Sequence, residues 1–122
     1  MQLQESGQMY LETVFLLSKE RGTVRAVDIS EHMGYSRPSV SRAIGLLKKA
    51  GLIFVDAGGA ITLSDEGRAL AEKIYERHTL LTAMLVRLGV DEETASEDAC
   101  RIEHVISDAT FAAIKKHLSD RG

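Results

Sequence analysis

Two β-prone runs, Leu52-Ile53-Phe54-Val55 and Ala60-Ile61-Thr62-Leu63, are separated only by Asp56-Ala57-Gly58-Gly59. A pair of this kind around a Gly-Gly turn closes as a β-hairpin. What precedes the hairpin restricts the fold further. Met9 to Leu17 is apolar at 9, 10, 11, 14, 15 and 17 and meets a stop at Gly22, which predicts a first helix over roughly 8–21. Val24 is expected to begin a very short strand. Val27 to Met33 reads as a second helix, closed by Gly34. Ser36-Arg37-Pro38-Ser39 then opens a third, because Ser36 suits an N-cap and a proline in the first turn loses no needed N–H. That helix is expected to run to about Ala50, with Val40, Ile44 and Leu47 inward and Gly51 as its C-cap. Three helices and a hairpin, with the short link Gly34-Tyr35-Ser36 between helices two and three, is the order of a winged helix-turn-helix.

The rest of the chain reads as helix. Ser64-Asp65-Glu66 places a cap and two acids at the start of a long helix, about 64–88, which Gly89 stops. Asp91-Glu92-Glu93 opens a fifth helix to about Ile106, and Ser107-Asp108 caps a sixth that ends near Leu118. The expected fold is mainly α with a small β-hairpin. A winged helix-turn-helix at 1–72 is followed by an all-α domain at 73–122, with the long helix bridging the two. Met1 to Gly7 is polar and expected to fray.

Aromatic residues make up 5% of the chain and Trp is absent, so the core is expected to be aliphatic. No run of about 18 apolar residues occurs, which excludes a membrane-spanning helix. The N-terminus lacks the basic-then-apolar pattern of a signal peptide. A single cysteine excludes an internal disulfide and suits a reducing compartment. The expectation is a cytoplasmic protein.

A net charge of −3 argues, taken alone, against a nucleic-acid binder. The distribution says more than the sum. Residues 36–50 carry Arg37, Arg42, Lys48 and Lys49 and no acid, while residues 90–108 carry seven acids against Arg101 alone. A recognition helix sets its N-terminal residues against base edges in the major groove. Here those residues are Ser36, Arg37, Pro38, Ser39, Ser41 and Arg42. Hydroxyls bond phosphate or base, arginine binds phosphate or guanine, and proline offers an apolar face to a thymine methyl. A solvated helix face with an ordinary serine cap is the competing reading, and the helix order with its hairpin weighs against it. The wing tip, 56–59, has no basic residue and is expected to add little charge attraction.

Cys100, Glu103 and His104 fall at positions i, i+3 and i+4, side by side on a helix. Sulfur, oxygen and nitrogen on one face suit a divalent transition metal. Each residue alone has a plainer reading: a buried thiol, a surface acid, a hydrogen-bonded imidazole. Met9 and Glu12 share a face of the first helix, and His78 sits in the fourth. Either could add ligands, though Met9 alone reads as core and His78 as a surface or capping histidine. An oxidant-sensing regulator using Cys100 is the rival reading, since Arg101 and His104 could activate the thiol. An enzyme with Cys100 as nucleophile needs an oxyanion site and an orienting group, for which no motif is found.

Five segments occur in one order: Met9-Tyr10-Leu11-Glu12, Ser36-Arg37-Pro38-Ser39-Val40-Ser41, Leu63-Ser64-Asp65-Glu66-Gly67, Arg77-His78, and Ala99-Cys100-Arg101-Ile102-Glu103-His104. Together they resemble the diphtheria toxin repressor family of metal-dependent transcriptional regulators, over about 8–118. The resemblance implies a metal-binding and dimerisation domain after the winged helix. It implies a homodimeric repressor, not an enzyme, that binds palindromic double-stranded operator DNA when Fe(II) or Mn(II) is present. No membrane and no small organic substrate is implied. Met9, Cys100, Glu103 and His104 match the primary metal site of the iron-sensing branch, and two sulfur positions favour iron over manganese. His78 matches a ligand of the second site, and Glu12 a carboxylate of the manganese-sensing branch. Thr82 and Ser96 stand where the iron-sensing branch has a glutamate and a histidine. The chain resembles a short form without the C-terminal SH3-like domain.

Overall fold

The computed structural model describes residues 5–120. Six helices and one two-stranded sheet make up the described chain: α1 (Glu5–Arg21), α2 (Ala26–Met33), α3 (Arg37–Lys49), β1 (Ile53–Val55), β2 (Ile61–Leu63), α4 (Asp65–Arg87), α5 (Glu92–Ile102) and α6 (Asp108–Asp120). Contacts divide the chain into two compact units, 1–72 and 73–122, the division falling within α4.

In the first unit the apolar face of α1 supplies Tyr10, Leu11, Val14, Phe15 and Leu17, all buried. They meet Ile29 from α2, Val40 and Leu47 from α3, and Ile53 and Ile61 from the strands in one core. Ile44 packs against that core only partly buried. Glycines with positive φ end the helices as expected: Gly22 at 84° after α1 and Gly34 at 72° after α2, where a Cβ would be strained. Of the polar stretch expected to fray, residues 1–4 lie outside the described residues, and Glu5 to Gly7 already form the first turn of α1.

Ser36 caps α3, its hydroxyl oxygen accepting from the backbone N–H of Ser39 at 3.3 Å. Replacing an N-cap serine by alanine costs about 1 kcal/mol. Ser36→Ala is therefore expected to lower unfolding stability by about that amount, measured by urea titration of the full chain.

The hairpin is antiparallel, with Ile53 opposite Leu63, Phe54 opposite Thr62 and Val55 opposite Ile61. Asp56 folds the tip, its Oδ1 accepting from the N–H groups of Gly58 and Ala60, both at 2.9 Å. Val24 adds the expected third strand as a single bridge, its carbonyl accepting from Ile61 N–H at 2.7 Å. That bridge brings Arg25 to the tip, where its guanidinium donates to the carbonyl of Gly58. The wing therefore has a cation beside it after all, contributed from outside the hairpin.

α5 differs from its expected extent. It ends at Ile102 rather than near Ile106. His104 N–H bonds Arg101 C=O and Val105 N–H bonds Ile102 C=O, so the helix tightens into i→i+3 turns and stops. Arg77 takes up the freed carbonyls, donating to Glu103 O at 3.4 Å and Ile106 O at 3.0 Å. α6 begins where expected, with Ser107 Oγ accepting from Thr110 N–H at 3.1 Å. It extends two residues past the expected end at Leu118, to Asp120. No described helix is long and apolar enough to cross a membrane.

Candidate metal centre and nucleic-acid interface

In the second unit Cys100, Glu103 and His104 come together, their ligand atoms all within 4.8 Å of one another. Glu103 occupies the C-cap of α5 with helical backbone angles, φ −57° and ψ −25°. The tightened turn after it keeps His104 on the same side. The side chains of Glu103 and His104 are both fully buried.

Glu103 is the centre of this cluster. Its Oε2 accepts from Nδ1 of His78 at 3.0 Å. Its Oε1 lies 3.2 Å from Nε2 of His104, an approach without hydrogen-bond alignment, so this buried oxygen accepts no hydrogen bond from any described residue. Burial pushes the Glu103 carboxyl up, but the imidazoles of His104 and His78 outweigh it and hold it below the ordinary carboxylate range. The carboxyl is thus anionic inside the unit, an arrangement that costs stability unless a cation compensates it.

These residues fit a divalent ion by their chemistry. A thiolate, a carboxylate and an imidazole form a mixed donor set. Two metal–ligand bonds of about 2.0–2.3 Å span up to roughly 4.6 Å, close to the spread found here. Cys100 is half-buried and is the chain's one cysteine. His78 joins the cluster through Glu103, on the turn of α4 that also carries Arg77. Thr82 donates to the carbonyl of His78 at 2.7 Å, and Ser96 Oγ lies 3.4 Å from His78 Nε2. Met9 and Glu12 lie one turn apart on α1, in the first unit.

Arg77 and Asp108 adjoin the site without a sequence pattern that marks them as part of it. Arg77 is buried, lies over the Phe111 ring at 5.3 Å, and donates to Asp108, which also receives Lys73 at 3.2 Å. Only the adjacency of Arg77 to His78 hinted at it; no periodicity marks a residue that holds the end of another helix. Lys73, then Arg77, hold the Asp108 carboxyl below the ordinary carboxylate range. A depressed folded value means the contribution is present above the unfolded pKa, roughly 3.9, and is lost as pH falls through the folded value. Asp108→Asn is accordingly expected to lower the melting temperature at neutral pH and to make little difference in acid below that range. Thermal melts of both chains across pH check it.

The six residues proposed to meet DNA gather at the start of α3 and its cap. Ser36, Arg37, Pro38, Ser41 and Arg42 are exposed and Ser39 is half-buried. Ser36 Oγ and Ser39 Oγ are 3.0 Å apart, so two of the hydroxyls already bond each other. No acid lies in α3.

Comparison with known proteins gives the same picture for both units. Residues 2–59 match the family model of the iron-dependent repressor N-terminal DNA-binding domain, and residues 64–121 that of the iron-dependent repressor metal-binding and dimerisation domain. The diphtheria toxin repressor of Corynebacterium diphtheriae is 31% identical over 97% of this chain and 53% of its own length. The transcriptional regulator MntR of Escherichia coli is 34% identical over 93% of this chain and 73% of its own. The iron-dependent repressor IdeR of Mycobacterium tuberculosis is 32% identical over 98% of this chain and 52% of its own. This chain therefore spans about half the length of two of these relatives. Among solved structures, a manganese-dependent transcriptional repressor in complex with manganese superposes with a TM-score of 0.83 at 32% identity, over 93% of this chain and 52% of that one. With both halves matched by family models and relatives above 30% identity, the chain belongs to the iron-dependent repressor family of metal-dependent transcriptional regulators, winged-helix proteins with a helical second domain.

Proposed function

We propose that this protein is a metal-dependent transcriptional repressor that binds a palindromic operator as a homodimer when loaded with Fe(II) or Mn(II). The observation that carries the reading is the fully buried Glu103 carboxylate between Cys100 and His104. An anionic oxygen beside a thiol and an imidazole is what a divalent cation requires. Cys100, Glu103 and His104 are the primary ligands, with Met9 and Glu12 assigned to the same function from α1. Sulfur at Met9 and Cys100 favours iron over manganese.

The first unit supplies the DNA contacts. Arg37 and Arg42 neutralise phosphate or read guanine, and Ser36, Ser39 and Ser41 bond backbone and base edges, with Pro38 as the apolar contact. A palindrome follows from two copies presenting two such helices to half-sites one helical turn apart, or a multiple of it. Exposed Leu88 and Val105 in the second unit, 73% and 74% accessible, support burial against a second copy.

A bound divalent ion would be held by Cys100, Glu103 and His104 and would supply the positive charge that compensates the Glu103 carboxylate. The protein's part is to hold a state that fits the operator. An ion shifts that population only by its differential affinity for that state. Because Cys100 must lose a proton to bind, metal affinity falls with acid. Selection of binding sites from a random duplex pool tests the reading, run anaerobically with Fe(II), with Mn(II) and with chelator. Two-fold symmetric sites enriched only with metal are expected; equal enrichment with chelator would falsify it.

A further inference from the structure

Both nitrogens of His78 are engaged within the protein. A carboxylate can only accept, so Nδ1 carries the proton that bonds Glu103 Oε2 at 3.0 Å. Nε2 is then the acceptor, and it faces the hydroxyl of Ser96 at 3.4 Å. Within the second unit the side chains beside His78 on this side, Thr82 and Ser96, are a hydroxyl each, and the Thr82 hydroxyl hydrogen is spent on the carbonyl of His78 itself at 2.7 Å. Neutral hydroxyls add no charge to hold a second divalent ion. The same stretch of α4 also holds the Glu103 backbone, through Arg77 Nη1 to Glu103 O at 3.4 Å. Consecutive residues of one helix thus fix one carboxylate at its main chain and at its side chain.

We propose that His78 is the positioning residue of Glu103 rather than a ligand of a second metal, so that each chain takes one divalent ion at Cys100, Glu103 and His104. The proposal rests on the metal-binding reading above and deepens it. A hydrogen bond to one oxygen of a ligating carboxylate fixes its rotamer and leaves the other oxygen, Oε1, presented toward His104, 3.2 Å from its Nε2. Partners of this kind lie outside the ligand set, and losing one weakens metal binding by about 10–100-fold.

The test uses the full chain, stripped with chelator and titrated anaerobically with Mn(II) and Fe(II), with bound metal counted by elemental analysis. One ion per chain is expected in the unaltered protein and in His78→Ala, with affinity in His78→Ala lower by about 10–100-fold. His78→Asn places an amide N–H where Nδ1–H was, and is expected to restore most of that loss. Co(II) bound to His78→Asn is expected to keep the visible spectrum of the unaltered protein, since no ligand has changed. Two ions per chain falling to one in His78→Ala would overturn the proposal. So would His78→Asn binding as weakly as His78→Ala, or a changed Co(II) spectrum. Unaltered chain that binds no ion sinks the metal-binding reading itself, an outcome distinct from these. Thermal melts of the metal-free variants verify folding, and the ion count of the unaltered chain stands even if a variant does not fold.

Discussion

Glu103→Gln is expected to abolish the metal response while leaving the chain folded. The substitution keeps the size of the side chain and removes its charge. In the metal-free protein the loss is modest, because a buried carboxylate flanked by two imidazoles is replaced by a neutral group that can still bond His78. In the metal-bound protein the loss is large. The anionic oxygen that compensates the ion is gone, and an amide oxygen is a far weaker ligand. Losing an outer partner weakens binding by up to about 100-fold, so losing the central carboxylate is expected to exceed that. Anaerobic calorimetry with Mn(II) and Fe(II) measures it, alongside a melt of the metal-free chain. Binding within tenfold of the unaltered protein would show that Glu103 is not a ligand.

Much of this architecture was legible in the sequence because local signals there agree. α3 combines a capping serine, an apolar period and a closing glycine, α1 and α2 an apolar period and a closing glycine, and the hairpin two β-prone runs about a Gly-Gly turn; each falls within a few residues of its expected bounds. The end of α5 was not legible. Nothing between Ile102 and Ile106 breaks a helix; the stop is set by Arg77 reaching from another helix to the carbonyls of Glu103 and Ile106. The same long-range contact explains why the triplet survives the loss of its helix. Cys100, Glu103 and His104 were expected to share a helical face, and they converge across a helix end instead. The bond from His78 to Glu103 was equally hidden, since the two stand 25 residues apart. At the wing, the tip alone carries no cation, and only the Val24 bridge reveals that Arg25 reaches it.

Gly67→Ala is expected to destabilise the first unit by about 3 kcal/mol or more, at the upper end of overpacking costs. Gly67 lies in the first turn of α4, where Ser64 Oγ accepts from its N–H at 3.0 Å and donates to Gly51 C=O at 2.7 Å. Those two hydrogen bonds draw the helix start against the backbone before β1. A Cβ on Gly67 would stand 2.0 Å from the carbonyl oxygen of Leu52 and 2.9 Å from its carbon. The obstacle is backbone, and Leu52 O is itself engaged by Ser64 N–H at 3.0 Å, so neither side can yield without breaking a hydrogen bond. Leu52 is buried in the core, which leaves it no room to retreat. Gly45 provides the control: it lies inside α3 with nothing within 4 Å of an added Cβ, so Gly45→Ala gains up to about 1 kcal/mol from helix propensity. Hydrogen exchange at the core amides of α1 and α3 reads both changes in the unit concerned. Equal protection in the two variants would mean that the approach of α4 to Leu52 is not what holds the wing in place.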